Sequence, residues 1–253
     1  MIFIALLYVL IGWLVGIAIN HAANILPTRR TLRQWPACEN CQRPYTRQQW
    51  SALLAWVINQ RVCAHCGSPR KLFVRSVIVE LIVPIFFVFL LWRYGVSLHL
   101  GLVTVYTATL ILITVTDLEH RLIFNVVTMP SILLAILAAF VTPGLTWRSA
   151  LLGGAIAFVL IYLAWFLGTV FYGHGALGVG DITLSTFLGL ILGFPHILLS
   201  LVLGIFLGGF VALLLLLTRQ SGRKSFIPYG PFLTITGWMM LVWGNEIWRY
   251  YFS

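Results

Sequence analysis

The sequence predicts an all-α, polytopic membrane protein, and three observations carry that prediction. Hydrophobic residues make up 60% of the chain and charged residues only 9%, against roughly a quarter charged in soluble domains. The mean hydropathy is +0.99. Apolar runs of about 18 to 24 residues recur along the chain, the length a helix needs to cross a hydrocarbon layer of ~30 Å. The formal charge of +10 would suit a nucleic-acid partner in a soluble protein. Here the basic residues gather in particular loops, as topology determinants do, so the expected partner is the lipid bilayer and not nucleic acid.

Met1 to about Asn20 is the first span. No basic residue precedes it and no small-residue cleavage site follows, so it is expected to be a retained helix and not a removed signal peptide. Pro27–Arg75 is the long polar stretch and holds nine of the sixteen Lys and Arg residues. Seven more spans are expected, at Ser76–Trp92, Leu98–Thr116, Leu122–Val141, Trp147–Val170, Ile182–Phe194, Ile197–Leu217 and Gly230–Trp248. Pro84 and Pro130 are expected in the early turns of theirs, where a missing N–H costs least.

With Pro27–Arg75 in the cytosol, alternating the eight spans places Arg121, Arg219, Arg223 and Lys224 on the same side, thirteen basic residues in all. Arg93, Arg148 and Arg249 fall outside. This asymmetry orients both termini outward and brings Asp117 and Asp181 to the cytosolic face. The sixth span, Asp181 to Phe194, is 14 residues, or ~21 Å at 1.5 Å per residue, too short to cross alone. Gly173, Gly175, Gly178 and Gly180 before it suggest non-helical backbone, tolerated at membrane depth only beside protein or a wet cavity. A hydrated pocket is expected there.

Cys38-x2-Cys41 and Cys63-x2-Cys66, with 21 residues between the pairs, account for every cysteine. Two such knuckles let four thiolates converge on zinc, and a set of four leaves no open coordination position, so the metal is expected to be structural. A reducing cytosol disfavours the disulfide alternative. His65 is expected to be a turn residue, although it could replace one thiolate. Trp50, Leu53, Leu54, Trp56 and Val57 form an apolar patch between the knuckles. It is expected to serve plain packing, with covering the metal or resting on the membrane surface as alternatives.

Only six acidic residues occur in the chain, and a carboxylate at membrane depth is costly enough to mark function. Two stand out, Asp117 in Thr116-Asp117-Leu118-Glu119-His120 and Asp181 in Gly178-Val179-Gly180-Asp181. Two carboxylates sharing a water are the minimal machinery of an aspartic protease, since neighbouring like charges drive their proton affinities apart. Gly178 and Gly180 would permit close backbone approach of an extended peptide. The competing structural account has each Asp cap a helix at the membrane boundary. Glu119 is a candidate helper or a first-turn charge of the next helix. A functional rival is a transporter or channel using the two Asp residues as a proton or cation path.

These motifs resemble the type IV prepilin peptidases, intramembrane aspartic proteases of the Gly-x-Gly-Asp type, many of which are bifunctional leader peptidases and N-methyltransferases. The resemblance runs nearly end to end. Gly16-Ile17-Ala18-Ile19-Asn20 through Leu26-Pro27 is similar to the family's first-helix exit, and Pro36-Ala37-Cys38 to the start of its cysteine loop. Glu80-Leu81 is similar to the opening of its second span. Ile227-Pro228-Tyr229-Gly230-Pro231-Phe232 is similar to the start of its last helix.

The resemblance implies cleavage of basic leader peptides from prepilins or pseudopilins at the cytosolic face of a bacterial inner membrane, with Asp117 and Asp181 as the catalytic pair. It also implies zinc on Cys38, Cys41, Cys63 and Cys66, and N-methylation of the new terminus with S-adenosylmethionine. Glu80 would be a candidate substrate or cofactor contact, or else would cap its own helix or pair with Arg75. A basic enzyme must recognise a basic leader through local acids such as Glu39, Glu80 or Glu119. The implied organisation is a first transmembrane helix over 1–26, a zinc-binding domain over 27–75 and a transmembrane peptidase domain over 76–253. Four positions depart from the family pattern: Thr183 stands for a Lys, Phe124 for a Pro, Ile25 for an Arg and Arg61 for a Gly. Two of these departures border the cytosolic loop, and the residues of methyl transfer are less sharply defined by motif than the Asp pair.

Overall fold

The structure is a computed structural model that describes residues 2–28, 37–38, 40–41, 43–63, 65–69, 72–172, 178–218 and 228–252. Glu39, Gly173, Gly175, Arg219, Arg223, Lys224 and Ile227 lie outside the described residues. Among those described, the α-helices are α1 (Ile2–Ile25), α2 (Ala52–Val57), α3 (Phe73–Tyr94), α4 (Leu98–His120), α5 (Asn125–Ala138), α6 (Trp147–Tyr172), α7 (Val179–Leu192), α8 (His196–Leu217) and α9 (Gly230–Phe252). The protein is an all-helical membrane protein. By length and composition α1, α3, α4, α6 and α8 can each cross a bilayer. Helices α5 and α7 have 14 residues each, and α9 is long enough but more polar, carrying Thr234, Thr236, Asn245 and Glu246. The chain divides into two compact units, Met1–Leu112 and Ile113–Ser253, with α4 contributing residues to both.

In the first unit α1 lies antiparallel to α3. Gly12 and Gly16, one turn apart on α1, let the two backbones meet: a Cβ on Gly12 would stand 2.6 Å from Pro84 Cα, and one on Gly16 3.1 Å from Glu80 Cα. Small residues four apart at a membrane-helix interface are the usual means of such approach, because lipid supplies no hydrophobic drive between helices. One turn further, Asn20 donates from Nδ2 to the Ser76 carbonyl at 2.9 Å. Pro130 falls in the second turn of α5, as expected from sequence, whereas Pro84 does not lie early in its helix. Helix α3 begins at Phe73, before the expected Ser76, so Pro84 falls mid-helix and forfeits the bond to the Glu80 carbonyl. The glycine face of α1 covers that segment.

In the second unit α7 is the hub. Ten of its 14 residues are buried, with α5, α6, α8 and α9 around it. Its contact with α6 is again glycine on backbone: a Cβ on Gly153 would come 2.4 Å from the Gly189 carbonyl oxygen, and one on Gly189 would come 2.3 Å from that of Gly153. A helix too short for the bilayer is thus shielded by protein on nearly every face, and its hydrophobicity all round follows from that.

The expected Leu122–Val141 span forms a helix only over Asn125–Ala138. Arg121 adopts a left-handed conformation, φ 55°, and residues 122–124 run extended into α5. That short connection places Ile123 between the two halves of the site described next.

Candidate active site and metal centre

Asp181 sits in the first turn of α7, at the third helical position. Its Oδ2 accepts the Gly178 N–H at 3.0 Å, while its own N–H donates to the Gly178 carbonyl at 3.0 Å. An acid at this position reaching back to the cap residue's N–H is a recurrent helix start, and it sits well with the positive end of the helix dipole. Capping therefore accounts for Asp181 locally. It does not account for its 7% exposure in a membrane protein.

Asp117 has no such account. It occupies the last turn of α4, the end where the helix dipole disfavours an anion. It is 5% exposed, and among the described residues its Oδ2 has no hydrogen-bond partner of full geometry. A buried polar atom left in that state costs roughly 1–3 kcal/mol. The fold carries that cost at one of the few acids in the chain.

Ile123 and two glycines join the two acids. A Cβ on Gly180, the residue before Asp181, would strike Ile123 Cβ at 2.6 Å. A Cβ on Gly230, the first residue of α9, would strike Asp117 Oδ2 at 2.5 Å and approach Ile123 Cδ1 at 3.3 Å. Ile123 thus rests on the Asp181 side through Gly180 and on the Asp117 side through Gly230. Asp117 and Tyr229 both lie within electrostatic reach of Asp181. Thr114 on α4 and Thr234 on α9 share a hydrogen bond at 2.7 Å that ties these helices near the acids. Thr183 donates back to the Gly180 carbonyl at 2.9 Å and accepts from Thr128 at 3.4 Å.

The other candidate acids stand elsewhere. Glu119 follows Asp117 by two residues, which turns it about 200° round the helix, and it lies 3.8 Å from the neighbouring His120 ring. Glu80 belongs to the first unit and is 0% exposed. Five donors converge on its carboxylate: Ala52 N–H at 2.8 Å, Leu53 N–H at 3.1 Å, Asn20 Nδ2 at 3.2 Å, Trp13 Nε1 at 3.4 Å and the Ser51 hydroxyl. It caps α2, a role beyond those weighed from sequence, while Arg75 bonds Asn24 on α1.

The four cysteines assemble from two similar turns. Each is closed by an antiparallel bridge, Ala37 with Pro44 and Val62 with Pro69. The Cys38 N–H donates to the Arg43 carbonyl and the Cys63 N–H to that of Ser68, both at 2.9 Å. All four sulfurs lie within 4.8 Å of one another. Cys38 to Cys66 and Cys41 to Cys63 are each 3.7 Å, close to the ~3.8 Å edge of a sulfur tetrahedron with 2.3 Å metal bonds. His65 Nδ1 faces Arg43 at 3.4 Å instead of joining them.

The Cys41 backbone N–H and then the Ser68 hydroxyl pull the Cys38 thiol down to about 6. Ser68 also lowers Cys66. Cys41 goes the other way, to about 11: the Arg43 backbone lowers it, but burial and the other three thiols outweigh that. Adjacent thiols cannot all ionise without a cation to offset the repulsion. The donor set and its spacing fit a four-coordinate metal.

The missed features have different origins. Gly12-x3-Gly16 was readable as a helix-packing signal. Ile123 carries no signal of its own, since its role depends on which glycines face it.

Residues 104–213 match the type IV leader peptidase family, and residues 10–94 match the bacterial peptidase A24 N-terminal domain. The chain is similar to proteins named prepilin leader peptidase/N-methyltransferase. The one from Aeromonas hydrophila is 27% identical over 220 residues, 85% of this chain and 74% of the relative. That of Pseudomonas aeruginosa is 25% identical over 215 residues, covering 85% and 73%. That of Dichelobacter nodosus is 29% identical over 213 residues, covering 83% and 71%. No solved structure matches the chain.

Proposed function

Because the chain belongs to the type IV leader peptidase family, we propose that Asp117 and Asp181 are the catalytic pair of a prepilin leader peptidase. One observation carries the assignment: Asp117 is buried at the unfavourable end of α4 with an oxygen that makes no hydrogen bond of full geometry among the described residues. A water on that oxygen would face the scissile carbonyl. One carboxylate removes its proton as the water attacks, and the other protonates the leaving amine. The pair titrates as a unit, so the two roles belong to the dyad and not to fixed residues. Gly180 lets Ile123 approach the α7 start, and Gly178, exposed beside Asp181, is where an extended peptide would come close.

The substrate in this reading is a prepilin or pseudopilin whose apolar segment lies among the helices and whose basic leader remains in the cytosol. The four-Cys loop then faces the cytosol and both termini lie outside. The relatives are also named N-methyltransferases, and in this reading the second activity methylates the new N-terminus with S-adenosylmethionine as donor. Cys38, Cys41, Cys63 and Cys66 hold a structural zinc that fixes the two turns. The peptidase domain corresponds to 76–253 and the zinc-binding domain to 27–75.

The test is incubation of the purified protein in lipid with a prepilin-like peptide, with and without S-adenosylmethionine, and weighing of the products. Leader loss alone identifies a peptidase, and a further methyl mass only when the donor is present adds the transferase. Asp117→Asn and Asp181→Asn should each abolish leader loss. Full cleavage by either variant would overturn the pair, and ion flux in vesicles without cleavage would favour a transport path. Metal analysis should give one zinc per chain, lost together with protease resistance of the 37–69 segment on chelation.

A further inference from the structure

We propose that α2 is inserted among lipid, with Leu54, Trp56, Val57 and Ile58 facing the acyl chains of the leaflet on the four-Cys side. The patch between the cysteine pairs was expected to serve packing. Instead only Ala52 and Ala55 of α2 are buried. Val57 is 76% exposed, Trp56 is 49% exposed, and Leu54 and Ile58 are exposed as well.

The depth of α2 follows from its anchor. Arg75 and Arg93 bracket the apolar length of α3 and stand 18 residues apart, ~27 Å along the helix, close to the thickness of a hydrocarbon core. Glu80 lies five residues inside Arg75, ~8 Å toward the membrane centre. Its carboxylate holds the Ala52 and Leu53 N–H groups, so the start of α2 is fixed at that level. At the same level α3 exposes Ile78, Leu81 and Ile82, side chains of a spanning helix.

The backbone of α2 is also prepared for a place without water. The first N–H groups of a helix have no partner within it, and water ordinarily satisfies them. In lipid each must find a protein acceptor. Here Ala52 and Leu53 donate to Glu80 and Leu54 donates to the Ser51 hydroxyl at 3.2 Å. At the other end Ile58 donates to the Leu54 carbonyl and Gln60 to that of Ala55. Asn59, Gln60 and Arg61 follow at once, all exposed, and return the chain to water.

Benzoylphenylalanine in place of Val57, Ile85 or Gln60, in the full chain reconstituted in phosphatidylethanolamine–phosphatidylglycerol vesicles, tests this directly. After irradiation, phospholipid adducts should form at position 57 as readily as at 85, and several-fold more than at 60. Adducts at 85 but not at 57 overturn the proposal, as does a protein cross-link from 57 in place of lipid. Hydroxyl-radical footprinting of the unmodified chain in the same vesicles gives a second reading. Trp56 should be oxidised many-fold more slowly than in the urea-unfolded chain. Slowing by only about twofold, as its 49% exposure within the protein alone would give, counts against insertion.

Discussion

Glu80 and Asp117 are both buried acids in transmembrane helices, and they are opposites. Glu80 has five donors for its two oxygens, drawn from α1 and from the cap and first turn of α2. Among the described residues, Asp117 Oδ2 has no hydrogen-bond partner of full geometry, and the Gly230 backbone stands near its carboxylate. A carboxylate removed from water costs several kcal/mol unless donors replace the water. At Glu80 the fold supplies them, and the acid is used up in holding α2 to α3. At Asp117 the fold withholds them, and the acid keeps capacity for a reactant. Burial alone therefore does not tell the two acids apart; on the proposed assignment, hydrogen-bond capacity left unspent does.

The widest gap between the two should appear on neutralisation. Asp117→Asn keeps the side chain's shape and alters little beyond the contact with the Gly230 backbone, so the variant should fold as the parent does. Leader cleavage should fall by about 10³-fold or more, the scale of a lost general acid–base group. Single-turnover cleavage and thermal unfolding on the same preparation measure both. A variant that unfolds early and cleaves normally when folded would reverse the comparison.

Next comes the geometry around the free oxygen. In Gly230→Ala the new methyl meets Asp117 Oδ2 at 2.5 Å, so the carboxylate must turn or α9 must retreat. A displacement near 1 Å at a reacting group can cost ~10²-fold in rate, and a loss of that order in cleavage is expected. Gly209→Ala on α8, where a Cβ meets nothing within 4 Å, should leave the rate unchanged. Equal effects from both substitutions would mean that glycine lowers a general barrier to packing and does not shape the site.

Glu80→Ala should damage stability and not chemistry. It strands the Ala52 and Leu53 N–H groups and the Trp13, Asn20 and Ser51 donors, and a loss of about 3 kcal/mol is expected from unpaired buried groups. The reading is earlier proteolysis between α2 and α3, with cleavage per folded molecule retained. If cleavage vanished while the loop stayed resistant, Glu80 would be a reactant's partner and the distinction drawn above would fail.

How much of this was legible in the sequence depended on how local each feature was. The cysteine pairs and the Gly-x-Gly-Asp run announce themselves because residue type and spacing suffice. The short seventh helix was legible as too short for lipid, although not as the hub of its unit, since burial on every side looks the same as lipid exposure in composition. Helix α2 was illegible. It has six residues, below what holds a helix alone, and its capping acid lies 28 residues further on. Gly230 read as a helix start, while its contact with Asp117 is set by tertiary packing that no local pattern records. Pro84 misled because α3 begins at Phe73 and not at the expected Ser76, which makes that proline central.

The smallest effect should come from Thr183, the family departure nearest the chemistry. Its hydroxyl turns back on the Gly180 carbonyl within α7 and takes a long bond from Thr128, so it spends its capacity locally, as Glu80 does and Asp117 does not. Thr183→Val should therefore cost about 1 kcal/mol or less in stability, the net worth of an ordinary hydrogen bond. It should change leader cleavage far less than Gly230→Ala. The informative partner is Thr183→Lys, which restores the family's residue two places after Asp181. A cation there would approach the dyad's charge and shift the pH profile of cleavage toward lower pH, since a positive neighbour favours the ionised carboxylate. An unchanged profile would mean that position 183 does not address the acids, and that its side chain serves α7 alone.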